Sequence, residues 1–151
     1  MLNVLELQKK LVAAALPSGF ESKVAEVITE IVKPYVDEVY IDALGNVIAH
    51  KKGPGKKIMM PAHMDTIGFT ATYIDDKCFI RVTNIGGISA VNMVATPVRF
   101  ENGVKGIMQI EGKADLASAA RNSVAMSNMF IDIGAADEAE ALSMIQLGDI
   151  A

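Results

Sequence analysis

The apolar residues of this chain keep a helical period up to Pro34 and a strand period after it, and that change of rhythm constrains the fold more than any other feature. Val4, Leu7, Leu11 and Ala14 form one stripe at helical spacing, leaving Glu6, Lys9 and Lys10 for solvent. Val24, Val27, Ile28 and Ile31 form a second stripe. The Ser18-x-x-Glu21 spacing ahead of it matches a capping box, in which each side chain satisfies the other residue's backbone amide. Proline lacks an amide hydrogen and crowds the preceding turn, so the second helix ends at Pro34. Beyond it Val39 and Ile41 alternate with Glu38 and Tyr40, and Leu44-Gly45-Asn46 turns the chain into residues 47–50, which predicts two adjacent strands. After a lysine-flanked turn at 51–57, Ile58-Met59-Met60 is expected to be a strand buried on both faces, as in a sheet covered by helices. The order to this point is ααβββ.

The texture changes at Gly68. Residues 69–74 and 78–82 read as strands joined at Asp75-Asp76-Lys77, with Cys78 a small buried hydrophobe inside the second. Residues 97–100 turn at Glu101-Asn102-Gly103 into residues 104–110, because Asn-Gly tolerates the positive φ of hairpin turns. Residues 112–128, rich in Ala, Ser and Asn, read as a loop or a poor helix. A strand resumes at 129–133, and Asp137-x-x-Glu140 opens a helix that runs through Leu142 and Ile145 and stops near Gly148. Short strands punctuated by turns predict a small barrel or sandwich. The fold class is therefore α/β, with an incomplete α/β lobe over residues 1–67 followed by a small β-barrel-like domain over residues 68–151.

Composition removes several functional classes. Fourteen basic side chains against eighteen acidic ones leave a net charge of −4, which argues against a nucleic-acid partner. No apolar run approaches the roughly eighteen residues that a membrane span needs. Glu6, Lys9 and Lys10 interrupt the apolar start, which reads as an amphipathic helix rather than a signal peptide. The single Cys78 forbids an internal disulfide and suits a reducing compartment, so a cytoplasmic location is expected.

The most suggestive chemistry lies in Pro61-Ala62-His63-Met64-Asp65-Thr66. His63 and Asp65 are two apart, so on an extended backbone both leave the same face at the end of the expected third strand. Spacing alone allows either a plain histidine–aspartate pair or a metal-binding imidazole whose ring the carboxylate fixes. Asp42 reads as a turn former, Asp75-Asp76 as the hairpin bend and Asp137 as a helix cap. Lys51, Lys52, Lys56 and Lys57 read as solvated turn lysines, since their spacing around Gly-Pro-Gly is not that of a phosphate-binding loop.

Taken in order, Pro17-Ser18-Gly19-Phe20-Glu21, Asp42-Ala43-Leu44-Gly45-Asn46, Ala62-His63-Met64-Asp65, Val82-Thr83-Asn84-Ile85-Gly86-Gly87, Val98-Arg99-Phe100-Glu101-Asn102-Gly103 and Phe130-Ile131-Asp132-Ile133-Gly134-Ala135 resemble the glutamyl and deblocking (tetrahedral) aminopeptidases, members of which are sometimes labelled endoglucanases. The resemblance extends over nearly the whole chain and implies its amino-terminal portion of such an enzyme. It implies an α/β zinc-peptidase domain interrupted by a β-rich dimerisation domain within large hollow assemblies, and so a homo-oligomer formed through residues 68–151. It implies two divalent metal ions, zinc or cobalt, with His63 a metal ligand and Asp65 the catalytic-site aspartate that orients it. A peptide substrate would lose its amino-terminal residue. Where the family commonly has Glu after the aspartate, this chain has Thr66.

The family's remaining ligands and its catalytic glutamate follow the β-rich insertion, and this sequence does not contain that segment. The only other histidine is His50, and no HExxH, Glu-Glu or second His-x-Asp occurs. A hydrolytic metal pair needs several ligands and a general base, so this chain alone is expected to be inactive. The missing groups could belong to a longer enzyme or to a carboxyl-terminal partner chain, or the protein could be a stand-alone relative kept for assembly. The rival from another class is a non-catalytic binding or oligomerisation module. An endoglucanase role has little support, because Trp is absent and no convincing pair of glycosidase carboxylates stands out.

Overall fold

The computed structural model describes residues 3–112 and 125–151, which form two units, Met1–Thr66 and Ile67–Ala151. Most of the weakly periodic stretch expected at 112–128 lies outside the described residues.

The first unit begins with α1 (Val4–Ala14), whose amino terminus is capped by the Asn3 side chain accepting from the Glu6 amide. Helix α2 (Ser22–Val32) buries Val24 and Ala25 and gives way to a 3₁₀ turn at Lys33–Tyr35, where Pro34 can add no further α-helical hydrogen bond. Ser18 does not cap this helix, contrary to the capping-box expectation. The cap position is Glu21, without a side-chain hydrogen bond, and the Glu21 carboxylate accepts from the Gly19 amide instead.

Strands β1 (Glu38–Ile41) and β2 (Val47–His50) form the expected antiparallel hairpin. Asp42 shapes its turn by accepting from the amides of Leu44 and Asn46 and from the Asn46 side chain, each at 2.9 Å. The third expected strand is absent. Ile58, Met59 and Met60 are 86%, 85% and 90% exposed and belong to no strand. An all-apolar strand of this kind is stable only between two hydrogen-bonding neighbours with both faces covered, and the described residues provide neither.

The second unit is an antiparallel sheet in the order β3-β4-β7-β6-β5, from β3 (Gly68–Ile74), β4 (Ile80–Ile85), β5 (Pro97–Arg99), β6 (Lys105–Ile110) and β7 (Met129–Asp132). A single helical turn, α3 (Ala90–Met93), precedes β5, and α4 (Glu138–Met144) follows β7. Helix α4 is capped as its sequence predicts, with Asp137 accepting from the Glu140 amide at 2.8 Å and Glu140 accepting from the Ala136 amide at 2.7 Å. The sheet curls into a half-barrel whose two edges meet the last residues of the chain. Phe69 and Ala151 exchange backbone hydrogen bonds of 2.8 and 2.9 Å, and the Glu101 amide, just past β5, donates to the Ile150 carbonyl. The mixed helix-and-strand class expected from the sequence is thus the one observed.

A bulge lets the core side of β3 stay apolar. Ala71 pairs with Val82 but Tyr73 pairs with Arg81, so Thr72 is an extra residue and Ile74 rather than Tyr73 turns inward. Phe69, Ile80, Phe100, Met108, Ile131 and Ile145 fill the core with 3% exposure or less. Contrary to the expectation from its apolar neighbours, Cys78 is outside the strand and only half-buried. It sits in the hairpin loop at a φ of +67°, with its amide donating to the Asp75 carbonyl. Asp75 organises that loop. Its buried carboxylate accepts from the amides of Lys77 and Phe79 and from Arg81 Nε and Nη2 at 2.9 and 2.7 Å. Burial opposes the charge, but the hydrogen bonds from Phe79 and Arg81 outweigh it and hold the Asp75 carboxyl below the usual carboxylate range. Arg81 also lies over the Phe130 ring, which stacks on Phe79 at 4.2 Å.

Candidate functional site

Two segments far apart in sequence meet in the first unit. Residues 16–18 run beside Thr66 through a parallel bridge between Pro17 and Thr66, with the Thr66 amide donating to the Leu16 carbonyl at 3.1 Å. Pro17-Ser18-Gly19-Phe20 closes as a tight turn in which the Phe20 amide donates to the Pro17 carbonyl at 3.0 Å. Gly19 takes a φ of +92° there, a conformation that glycine adopts at little cost. Nothing lies within 4 Å of where its Cβ would be, so the requirement is for backbone angle rather than space.

This arrangement gathers Ser18, His63 and Asp65. Asp65 Oδ1 lies 2.8 Å from His63 Nδ1, and the Ser18 hydroxyl donates to Asp65 Oδ2 at 2.5 Å. The Ser18 hydrogen bond is the main cause, and the His63 contact the second, of an Asp65 carboxyl held below the usual carboxylate range. An ionised carboxylate can only accept, so the neutral imidazole is assigned the tautomer with its proton on Nδ1 and its lone pair on Nε2. The His63 side chain is 88% exposed, and its Nε2 has no partner among the described residues. Asp65, at 30%, is far less open.

The donor set fits one imidazole ligand to a divalent metal: the far ring nitrogen is free and the near one is tied to a carboxylate. It fits no complete centre, because no group of three His, Cys, Asp or Glu side chains converges among the described residues. His50 does not join His63. It stands on β2 across from Glu38, with Nδ1 3.6 Å from Glu38 Oε2. Lys51 and Lys52 pair with Asp37 and Glu38, so these two lysines are held by local carboxylates. A hollow of about 730 Å³ beside Arg99, Lys105, Gln109 and Asp132 includes neither His63 nor Asp65 in its lining.

Ser18 is the member of this cluster that sequence reasoning assigned elsewhere. Its spacing to Glu21 is a good local signature for a cap, and no local pattern reveals a partner 47 residues away. Gly19 was the available hint, since a turn at that point competes with the first turn of a helix.

Known proteins resemble this chain over nearly its whole length. Residues 45–151 match the family model of the M42 glutamyl aminopeptidases. A putative aminopeptidase of Acetivibrio thermocellus is 44% identical over 149 residues, which is 99% of this chain and 44% of that protein. Among solved structures, the TET aminopeptidase of Thaumarchaeota archaeon SCGC AB-539-E09 superposes with a TM-score of 0.81 at 36% identity, over 97% of this chain and 43% of that one. The TET1 peptidase of Pyrococcus horikoshii, described as assembling into a tetrahedron or a large octahedral shell, gives a TM-score of 0.77 at 29% identity, over 98% of this chain and 46% of that one. The chain thus spans less than half the length of each of these relatives. It belongs to the M42 glutamyl aminopeptidase family.

Proposed function

We propose that this chain supplies the amino-terminal share of a metal-dependent aminopeptidase that removes amino-terminal residues from peptides, with His63 as a metal ligand and Asp65 as the residue that orients it. The observation that carries this reading is the 2.8 Å contact between Asp65 and His63 Nδ1, which leaves Nε2 outward and open. A divalent ion, zinc or cobalt, would supply Lewis-acid polarisation of the scissile carbonyl. The work of this chain's own residues is narrower. Asp65 fixes the imidazole tautomer, and His63 presents a single lone pair.

No set of three ligand side chains converges among the described residues, so further chain or a second subunit would supply the other ligands and a general base. The exposed Ile58-Met59-Met60 segment supports such a completing partner, because three consecutive apolar side chains in water favour burial in a larger sheet. Residues 68–151 are the proposed dimerisation domain, by analogy with the assemblies of the Pyrococcus horikoshii relative.

The experiment is a panel of aminoacyl amide substrates offered to the pure chain with zinc or cobalt. Negligible turnover is expected, and metal-dependent turnover is expected on mixing with the remaining portion of a related enzyme. Turnover by the chain alone that disappears in His63→Ala would overturn the incomplete-site reading.

A further inference from the structure

A carboxylate can select a histidine tautomer only if its own torsions are fixed. Asp65 lies outside every helix and strand, so no backbone ladder fixes it. Among the described residues, two other side chains reach its carboxylate oxygens: His63 on Oδ1 and Ser18 on Oδ2. His63 is itself almost fully exposed and cannot serve as the anchor. Ser18, in contrast, is carried on a closed turn with a specialised glycine and is tied to the Asp65 segment through the Pro17–Thr66 bridge. A 2.5 Å O–H···O contact to a carboxylate is at the short, strong end for such bonds.

We infer that Ser18 is a positioning residue: by holding Asp65 Oδ2 it turns Oδ1 toward His63 Nδ1 and so keeps the His63 Nε2 lone pair free and directed outward. This rests on the reading of His63 as a ligand only for its purpose, since the geometric effect on the ring is measurable without metal. Ser18→Ala leaves one carboxylate oxygen to water and lets the group rotate. Ser18→Thr retains the hydroxyl.

The test is long-range ¹H–¹⁵N correlation spectroscopy of the imidazole rings, at a pH well above the ordinary histidine pKa of about 6.5. The chain has two histidines, so His50 serves as the internal control. Expected is a dominant Nδ1–H pattern for His63 in the native chain, loss of that pattern in Ser18→Ala with His50 unchanged, and its return in Ser18→Thr. If Ser18→Ala unfolds, Ser18→Cys, a much weaker donor of similar shape, gives the same readout. An unchanged His63 pattern in Ser18→Ala, or in Ser18→Cys where that variant replaces it, would overturn the inference.

Zinc titration followed on the same ring separates this from the ligand reading. The half-saturation concentration is expected to rise roughly tenfold in Ser18→Ala, the lower end of what losing an outer hydrogen-bond partner costs a metal site. A native ring that ignores zinc while Ser18→Ala alters its tautomer would remove the ligand reading and keep Ser18 as the positioner. A native ring that responds to zinc while Ser18→Ala leaves the tautomer intact would do the reverse.

Discussion

Gly106 and Ile131 approach so closely across neighbouring strands that a β-carbon at position 106 would stand 2.5 Å from Ile131 Cγ2 and 2.8 Å from the Asp132 carbonyl oxygen. Both neighbours are fixed, one as a fully buried side chain and one as backbone. Gly106→Ala is expected to destabilise the second unit by about 1–3 kcal/mol, the usual cost of overpacking. Urea unfolding followed by circular dichroism checks it; a variant as stable as the native chain would mean that β6 and β7 separate freely.

The edges of the half-barrel are joined through residues 148–151, and Ile150 drives that closure by burying its side chain to 2% exposure. Ile150→Ala should cost about 2–5 kcal/mol, as for other large-to-small changes in a core. Hydrogen exchange should report the loss first at Phe69 and Ala71, whose amides donate to Ala151 and Asp149.

Asp75 gives the second unit an acid limb. Its folded pKa is depressed, so its contribution to stability is full above the unfolded value of 3.8 and is lost as pH falls through the folded value. Asp75→Asn should remove that dependence and, near neutrality, cost roughly 1.5–3 kcal/mol by withdrawing the charged partner of Arg81. Thermal melts of both proteins from pH 7 down to pH 2 test this; parallel curves would show that Asp75 does not titrate with unfolding.

Ile58, Met59 and Met60 touch little in this chain, so Ile58→Lys should change its stability by no more than about 0.5 kcal/mol. The same change should weaken reconstitution of activity with a complementing fragment, because a lysine would then be buried in a sheet. Equal reconstitution by both proteins would remove that segment from the proposed junction.

Self-association of the intact chain should be visible by light scattering at micromolar concentration as a mass at least double 16.1 kDa. A mass that stays at the single-chain value on concentration would argue against a homo-oligomer through residues 68–151.

The sequence alone determined several elements whose stabilising partners are close by in the chain. The helices α1 and α2, the arrest at Pro34, the Asp42 turn, the Asn102-Gly103 hairpin and the Asp137 cap all depend on residues a few positions apart, and all are found in the structure. His63 and Asp65 were legible for the same reason, being two residues apart. Only the tertiary structure decided the roles that depend on distant partners. Ser18 had a convincing local use as a cap, but the Pro17–Phe20 turn delays the helix to Ser22, and the Ser18 hydroxyl donates instead to a carboxylate 47 residues on. Ile58-Met59-Met60 had the composition of a buried strand, but strand formation needs neighbours to accept its hydrogen bonds, and the described residues supply none.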